Sequence, residues 1–296
     1  GSRKSDMLPL MRNRSQTEYR AGIIGCGRIG SEFDKEMPRK IAFSHAGAYF
    51  LSSRARIVAA CDSNSAKLDI FRKKWEVNRV YLDYREMLSR EKIDILSVCT
   101  PGETHWPIVQ YASEFPISAI YCEKPISNNL EDARKMVRLC RERKILLMVN
   151  HQRRFDPFYQ ELKEKISNGE IGKIQQVNCY YTRGILNTGI HILDLFCYFF
   201  NRVEWVMAVH SQNKCLFKKD LNLDGVIKFK SGPLITMKAC DDRFYLILEL
   251  DILTSKVRIR LGDKFEYFQV GRRNNLLKKN VLIKVETPPF RFKYGP

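Results

Sequence analysis

A chain of 296 residues with 44% hydrophobic side chains is long enough to bury two separate cores, so two domains are the starting expectation. No stretch reaches the roughly 18 consecutive apolar residues of a membrane helix, and no apolar signal core opens the chain, which leads to the expectation of a soluble, cytoplasmic protein with no membrane partner. The formal net charge of +18 is spread out, with no nucleic-acid motif around its basic clusters; no nucleic-acid partner is expected, and a phosphorylated or carboxylated small molecule suits the charge at least as well.

Residues 1–18 are polar, basic and without periodicity; Gly1-Ser2 reads as a cloning remnant, and the segment is left out of the fold as tag-derived or disordered. From Tyr19, apolar runs of strand length at 19–25, 56–61, 93–100, 117–122 and 145–150 alternate with helical patterns at 65–75, 83–89, 104–114 and 129–143. Parallel neighbours need crossover helices, so this rhythm predicts an α/β Rossmann domain over 19–150, with a doubly wound parallel sheet.

A polar turn at 150–157 ends that rhythm. A helix at 156–168, a strand at 174–182, a helix at 190–200 and then mostly strand-like runs predict a C-terminal α+β domain, residues 151–296, with a mainly antiparallel open sheet. The exposed face of that sheet is expected to be apolar and to be the surface at which copies of the chain associate, because an open apolar face must be covered. The nine cysteines include no CxxC pair and no zinc spacing, which argues for reduced thiols packed as small hydrophobes, with no metal site.

Gly25-Cys26-Gly27-Arg28-Ile29-Gly30 places GxGxxG directly after an apolar strand, the context in which the motif holds a dinucleotide. Gly25 permits the tight turn, Gly27 lets backbone approach a pyrophosphate and Gly30 lets a helix pack closely on the strand; the phosphates then meet the N–H groups of a helix N-terminus. Asp62 ends the second strand, where a carboxylate accepts hydrogen bonds from ribose hydroxyls and repels a 2′-phosphate, favouring NAD while leaving NADP open. The spacing from Gly30 to Asp62 exceeds the usual one of about 20 residues. Residues 33–44 read as an insertion that accounts for it.

Glu123-Lys124-Pro125 follows a strand and so lies at the carboxyl edge of the sheet, where ligands of open α/β folds bind. Taken alone it is a charged turn; beside a nicotinamide cation the lysine loses its proton more readily, and it can donate a hydrogen bond to a hydroxyl. Asn187 and His191 stand four residues apart around a helix start and can point the same way. His191 has the intrinsic pKa of a general base, but a single histidine on an apolar helix serves equally as a satisfied core residue.

Taken together, the glycine turn, Ser44-His45-Ala46-Gly47-Ala48-Tyr49, Thr100-Pro101, Glu123-Lys124-Pro125, the run from Asn150 to Pro157 and Gly189xHis191xxAsp194 resemble the Gfo/Idh/MocA oxidoreductases, in order from about Tyr19 to Phe200. The resemblance implies an NAD(P)-dependent dehydrogenase or reductase acting on a sugar, polyol or sugar nucleotide, with its active site between two domains and a homodimeric or homotetrameric assembly. It implies that Lys124 and His191 are catalytic, that Thr100, Pro101, His105, Glu123 and Asn150 lie near the nicotinamide, and that Arg153, Arg154 and Asn187 contact substrate. Gly25, Gly27, Arg28, Ile29, Gly30 and Asp62 complete the cofactor set.

Two departures stand out. Many members carry aspartate four residues before the histidine where this chain has Asn187, and an amide orients a hydroxyl without taking its proton. Family chains also continue into a helix after the last strands, so the stop at Pro296 leads to the expectation of a shortened or truncated substrate domain. The alternative to an enzyme is a non-catalytic NAD(P)-binding regulatory protein of the same fold.

Overall fold

The computed structural model describes residues 18–38, 40–217, 220–230, 232–262, 266–274 and 279–285. They form two compact units that divide between Asn150 and His151.

In the first unit the strands β1 Tyr19–Ile24, β2 Ala55–Cys61, β3 Val80–Tyr81, β4 Ile95–Val98, β5 Ala119–Cys122 and β6 Leu146–Val149 form one parallel sheet in the order β3-β2-β1-β4-β5-β6. The doubly wound sheet read from the strand-helix rhythm is therefore present. The helices α1 His45–Leu51, α2 Ser65–Trp75, α3 Tyr84–Arg90, α4 His105–Ala112 and α5 Leu130–Glu142 connect the strands. Each of α1, α2, α3 and α5 starts at a Ser, Asn or Asp whose side chain accepts N–H groups of the first turn, which satisfies donors a helix start leaves open.

Alternation along the strands builds two cores. Ile23 and Ala60 pack with Leu68, Phe71 and Trp75, while Ile24, Ala59 and Cys61 pack with Leu96, Val98, Ile120 and Met136. The amino end of the sheet is fastened by Arg20, whose Nε and Nη2 donate to the two carboxylate oxygens of Asp94 at 2.9 and 2.7 Å while its backbone N–H donates at 2.8 Å.

Strand β3 was missed in the sequence because two residues carry no period. The glycine turn also differs from the sequence expectation. It leads into a five-residue π-helical turn, Arg28–Glu32, and a regular helix begins only at His45, after the expected insertion. Asp34 closes that insertion: its carboxylate accepts the N–H groups of Phe43 and Ser44, both at 2.9 Å, and the Ser44 hydroxyl.

The second unit holds α6 Pro157–Ser167 and α7 Ile190–Phe200 against the strands β7 Ile174–Tyr181, β8 Val203–His210, β9 Leu223–Phe229, β10 Leu234–Ala239, β11 Leu248–Thr254, β12 Val257–Leu261, β13 Glu266–Asn274 and β14 Lys279–Val285. Their order is β14-β13-β12-β11-β7-β10-β9-β8, antiparallel except for β7 beside β10. One face, carrying Val177, Cys179, Tyr181, Ile235, Met237, Leu250, Ile252 and Ile259, packs with Phe158, Leu162, Phe196 and Phe199 of the two helices.

The opposite face is not the apolar surface expected from the sequence. Asp251 pairs with Arg258 and Glu249 with Arg260 across β11 and β12, and Thr236 donates to Asn178. Exposed apolar side chains gather instead on the edge strand β8, at Trp205, Val206, Met207 and Val209.

Tyr181 is fully buried, and its hydroxyl donates to the Leu223 carbonyl at 2.8 Å and accepts the Leu223 N–H at 2.9 Å. Tyr181→Phe leaves both backbone groups without that partner and should destabilise the second unit by about 1–3 kcal/mol. Urea denaturation monitored by circular dichroism tests this, and an unchanged midpoint would contradict it.

Candidate active site

The carboxyl edge of the parallel sheet collects most of the residues singled out in the sequence. After β1 the chain turns at Gly25, whose φ is +96° and whose Cβ, if it had one, would lie 2.8 Å from the carbonyl carbon and oxygen of Cys99 beyond β4. Glycine is thus required twice there, by conformation and by close approach. A Cβ on Gly30 would fall 2.0 Å from the Gly25 carbonyl oxygen, so this glycine lets the turn fold back on itself rather than letting a long helix meet the strand.

Gly27 is different. The nearest atom to a Cβ there is Lys67 Nζ at 3.5 Å, so nothing in the protein demands glycine. That open backbone, with an ammonium group beside it, fits an anion such as a dinucleotide pyrophosphate. Lys67, on α2, was missed in the sequence because its approach to the turn depends on the tertiary fold. Arg28 is exposed with its guanidinium 4.8 Å from the Phe33 ring centroid, and Ile29 is half-buried.

Asp62 stands at the end of β2 as expected. Its Oδ2 accepts the Cys26 N–H and its Oδ1 the Asn64 N–H, at 2.8 and 2.9 Å. It therefore ties the glycine turn to β2, and each carboxylate oxygen keeps a lone pair for a hydroxyl donor.

Beyond β4, the Thr104 hydroxyl donates to the Thr100 hydroxyl and reaches the Pro101 carbonyl, both at 2.7 Å. His105 is fully buried with its ring between the carbonyls of Thr100 and Ile126, at 2.7 and 3.1 Å. The structure thus places His105 as a tie between the segments that follow β4 and β5.

Glu123, just past β5, is 7% exposed. Its Oε1 meets His45 Nε2 at 3.0 Å and accepts from Asn150 Nδ2 at 2.5 Å, while Oε2 accepts the Lys124 N–H at 3.2 Å. Burial alone would push this carboxyl up; the hydrogen bonds from His45 and Asn150, with the Lys124 N–H, hold it below the usual carboxylate range. The Lys124-Pro125 peptide bond is cis, and Lys124 is half-buried. His45, Ser97, Tyr49 and Tyr121 also contribute to this cluster, and apart from the family pattern around His45 only tertiary contact reveals them.

In the second unit, Asn187 lies in a π-helical turn, Ile185–Gly189, and His191 follows in the first turn of α7. Asp220 supports that turn by accepting the N–H groups of Leu186 and Asn187 at 3.0 and 2.8 Å. Arg154 is engaged by Asp194, with contacts of 2.7 to 3.0 Å. Arg153 instead keeps one buried guanidinium nitrogen, Nη1, without a hydrogen-bond partner among the described residues. The structure therefore separates two arginines that stand side by side in the sequence.

A doubly wound sheet with a glycine turn at the strand-order reversal, and a buried charged cluster at the same edge, defines a dinucleotide-binding domain. The model of the family described as "Oxidoreductase family, NAD-binding Rossmann fold", Gfo/Idh/MocA, matches residues 19–151. Among its relatives, myo-inositol 2-dehydrogenase of Thermotoga maritima is 28% identical over 236 residues, 73% of this chain and 66% of that protein. D-apiose dehydrogenase of Paraburkholderia graminis is 28% identical over 211 residues, 66% of this chain and 53% of that protein. The chain thus spans between half and two thirds of the length of these relatives. In fold it is similar to the WlbA dehydrogenase of Bordetella pertussis, solved with NADH and UDP-GlcNAcA, at a TM-score of 0.71 and 22% identity, covering 84% of this chain and 81% of that one.

Two outcomes follow for the glycine turn. Gly30→Ala should cost about 1–3 kcal/mol of stability through overpacking. Gly27→Ala should stay within about 0.5 kcal/mol of wild type while weakening NADH binding, as read by fluorescence titration. For Glu123, a lowered carboxyl contributes stability that is complete above its unfolded pKa and is lost as pH falls through the folded value. Glu123→Gln should therefore flatten the acid limb of a plot of Tm against pH; an unaltered acid limb would contradict the buried-anion assignment.

Proposed function

We propose that this protein is an NAD(P)-dependent oxidoreductase, with NAD preferred, that moves hydride between nicotinamide and a hydroxyl-bearing carbon of a sugar, polyol or sugar nucleotide. The observation that carries this reading is the shared sheet edge: a glycine turn open at Gly27, and Lys124 next to a buried, ionised Glu123. The relatives' names, inositol, apiose and glucoside dehydrogenases, support the substrate class.

Gly25, Gly27, Arg28, Ile29 and Gly30, helped by Lys67, hold the pyrophosphate. Asp62 accepts the ribose hydroxyls, and its charge disfavours a 2′-phosphate. Thr100, Pro101, Glu123 and Asn150 flank the nicotinamide, with His105 fixing the loop that carries Thr100. When bound, the cofactor supplies the hydride acceptor or donor. Lys124 and His191 hold and move the proton of the reacting hydroxyl, and Asn187 orients that hydroxyl without ionising.

Arg153, with its unpartnered nitrogen, is the substrate contact for a carboxylate or phosphate, since a buried donor without a partner is costly unless a ligand completes it. Arg154 contributes mainly by holding Asp194. The first unit serves as cofactor domain and the second as substrate and assembly domain; self-association into a dimer or tetramer engages the apolar edge at β8, and the chain works in the cytoplasm. Among the described residues no helix is long and apolar enough to cross a membrane.

Lys124→Ala should lower turnover by about 10²-fold or more while changing NADH affinity little. The assay follows NADH absorbance across a panel of inositols, aldoses and UDP-linked sugar acids. Undiminished turnover by the variant would overturn the assigned role. No turnover by wild type on the whole panel, with NADH bound, would favour the non-catalytic regulatory alternative.

A further inference from the structure

Two hydrogen-bonded chains meet on the Glu123 carboxylate. In one, the Tyr121 hydroxyl donates to Asn150 Oδ1 at 2.5 Å and Asn150 Nδ2 donates to Glu123 Oε1. In the other, Tyr49 and Ser97 hydroxyls lie 2.8 Å apart, Ser97 Oγ lies 2.9 Å from His45 Nδ1, and His45 Nε2 reaches Glu123 Oε1. An ionised carboxylate only accepts, so Nε2 carries a proton; with Tyr49 donating to Ser97 and Ser97 to Nδ1, every group in the chain is satisfied in one direction. Ser97 is fully buried, and the side chains of His45 and Glu123 are 2% and 9% exposed. Hydrogen bonds in such a medium polarise one another and fix geometry more firmly than exposed ones.

The far end of this arrangement is the peptide that carries Lys124, because Glu123 Oε2 accepts the Lys124 N–H. We propose that His45 is a positioning residue: by holding Glu123 it sets the Lys124 backbone, and so the placement of the lysine at the sheet edge. The insertion after the glycine turn acquires a purpose in this scheme. Asp34 draws residues 43–44 back to begin α1, and a Cβ at Gly47 would meet the same Asp34 carboxylate at 2.1 Å, so the start of α1 and His45 are seated by one buried acid. The His45 ring also packs on Tyr121, with centroids 4.6 Å apart, bringing the two chains into contact.

This inference rests on the proposed proton role of Lys124 only for its catalytic consequence; the positioning itself is read without turnover. Amide hydrogen exchange is measured on the segment containing Lys124, where Pro125 contributes no N–H. His45→Leu should speed exchange of the Lys124 amide by about tenfold or more. His45→Gln, whose amide can donate to Glu123, should restore most of the protection.

On a substrate turned over by wild type, kcat should fall by about 10²-fold in the leucine variant with KM and NADH affinity within about threefold, since a displaced lysine loses orientation rather than binding. Should His45→Leu fail to fold, Ser97→Ala, which breaks the chain one step further out, should still accelerate Lys124 exchange. Unchanged exchange in a folded variant, or equal losses for leucine and glutamine, overturns the proposal. Normal exchange changes with no effect of Lys124→Ala on turnover would instead sink the catalytic reading and leave the positioning intact.

Discussion

In the first unit the backbone approaches itself closely where β1 and β4 end side by side. At Gly25 there is no room for a Cβ against the Cys99 carbonyl, and strand order runs outward from this point in opposite directions. Because the crossovers leave to either side, a crevice opens at the carboxyl edge between them. Every group assigned to the cofactor in this unit depends on that crossing. Asp62 joins the turn to β2 through the Cys26 N–H, the Cys99 N–H donates back to Ile24, and the Glu123 N–H donates to Val98. The edge is a continuous hydrogen-bonded row, so the glycine turn and the lysine peptide are held in one frame although 99 positions separate Gly25 from Lys124.

Charge along this row is concentrated by burial. Cys26, Cys99, Cys122 and Tyr121 surround the edge, and desolvation raises each of them, keeping thiols and phenol neutral. Glu123 suffers the same desolvation but receives three donors, and it stays ionised. One fixed negative charge therefore sits among neutral neighbours, in a medium where it is weakly screened. Removing one donor would leave a buried carboxylate under-solvated, which costs more than the net worth of the lost bond. That asymmetry gives the surrounding tyrosines and His45 their leverage over the lysine peptide.

The fold of the first unit was largely legible, because GxGxxG and the strand-helix alternation are local signals. Ser65–Trp75 and Ile190–Phe200 agree with the sequence boundaries because the capping residue Asn64 opens the first and a dense apolar run marks the second. What escaped was whatever depends on contacts distant in sequence: Lys67 beside Gly27, His45 against Glu123, Asp220 under Asn187. The polar open face of the second sheet also escaped. Along β11 and β12, alternation by itself does not reveal that Asp251 and Glu249 face Arg258 and Arg260, because pairing follows register rather than composition. The glycines were legible as a motif, but one of their three reasons changed: Gly30 serves the turn itself, while Gly25 makes the tight turn and Gly27 stays open.

Asn187 shows how a departure from a family pattern can follow from its own surroundings. Its backbone N–H lies 2.8 Å from a carboxylate oxygen of Asp220, which also holds Leu186 and crowds Gly184 so closely that a Cβ there would meet it at 2.1 Å. An aspartate at 187 would place a second carboxylate on a turn already organised around one, and like charges at short range raise each other's pKa or repel. Asparagine keeps a polar group of the same shape without that conflict. The turn therefore carries a neutral polar group at 187 in place of an acid, in keeping with the proposal that gives the proton to His191 and Lys124. Arg153 completes the contrast: Arg154 is neutralised by Asp194 and position 187 is uncharged, while Arg153 Nη1 is buried without a hydrogen-bond partner among the described residues, which is what supports the proposed contact with an anionic group.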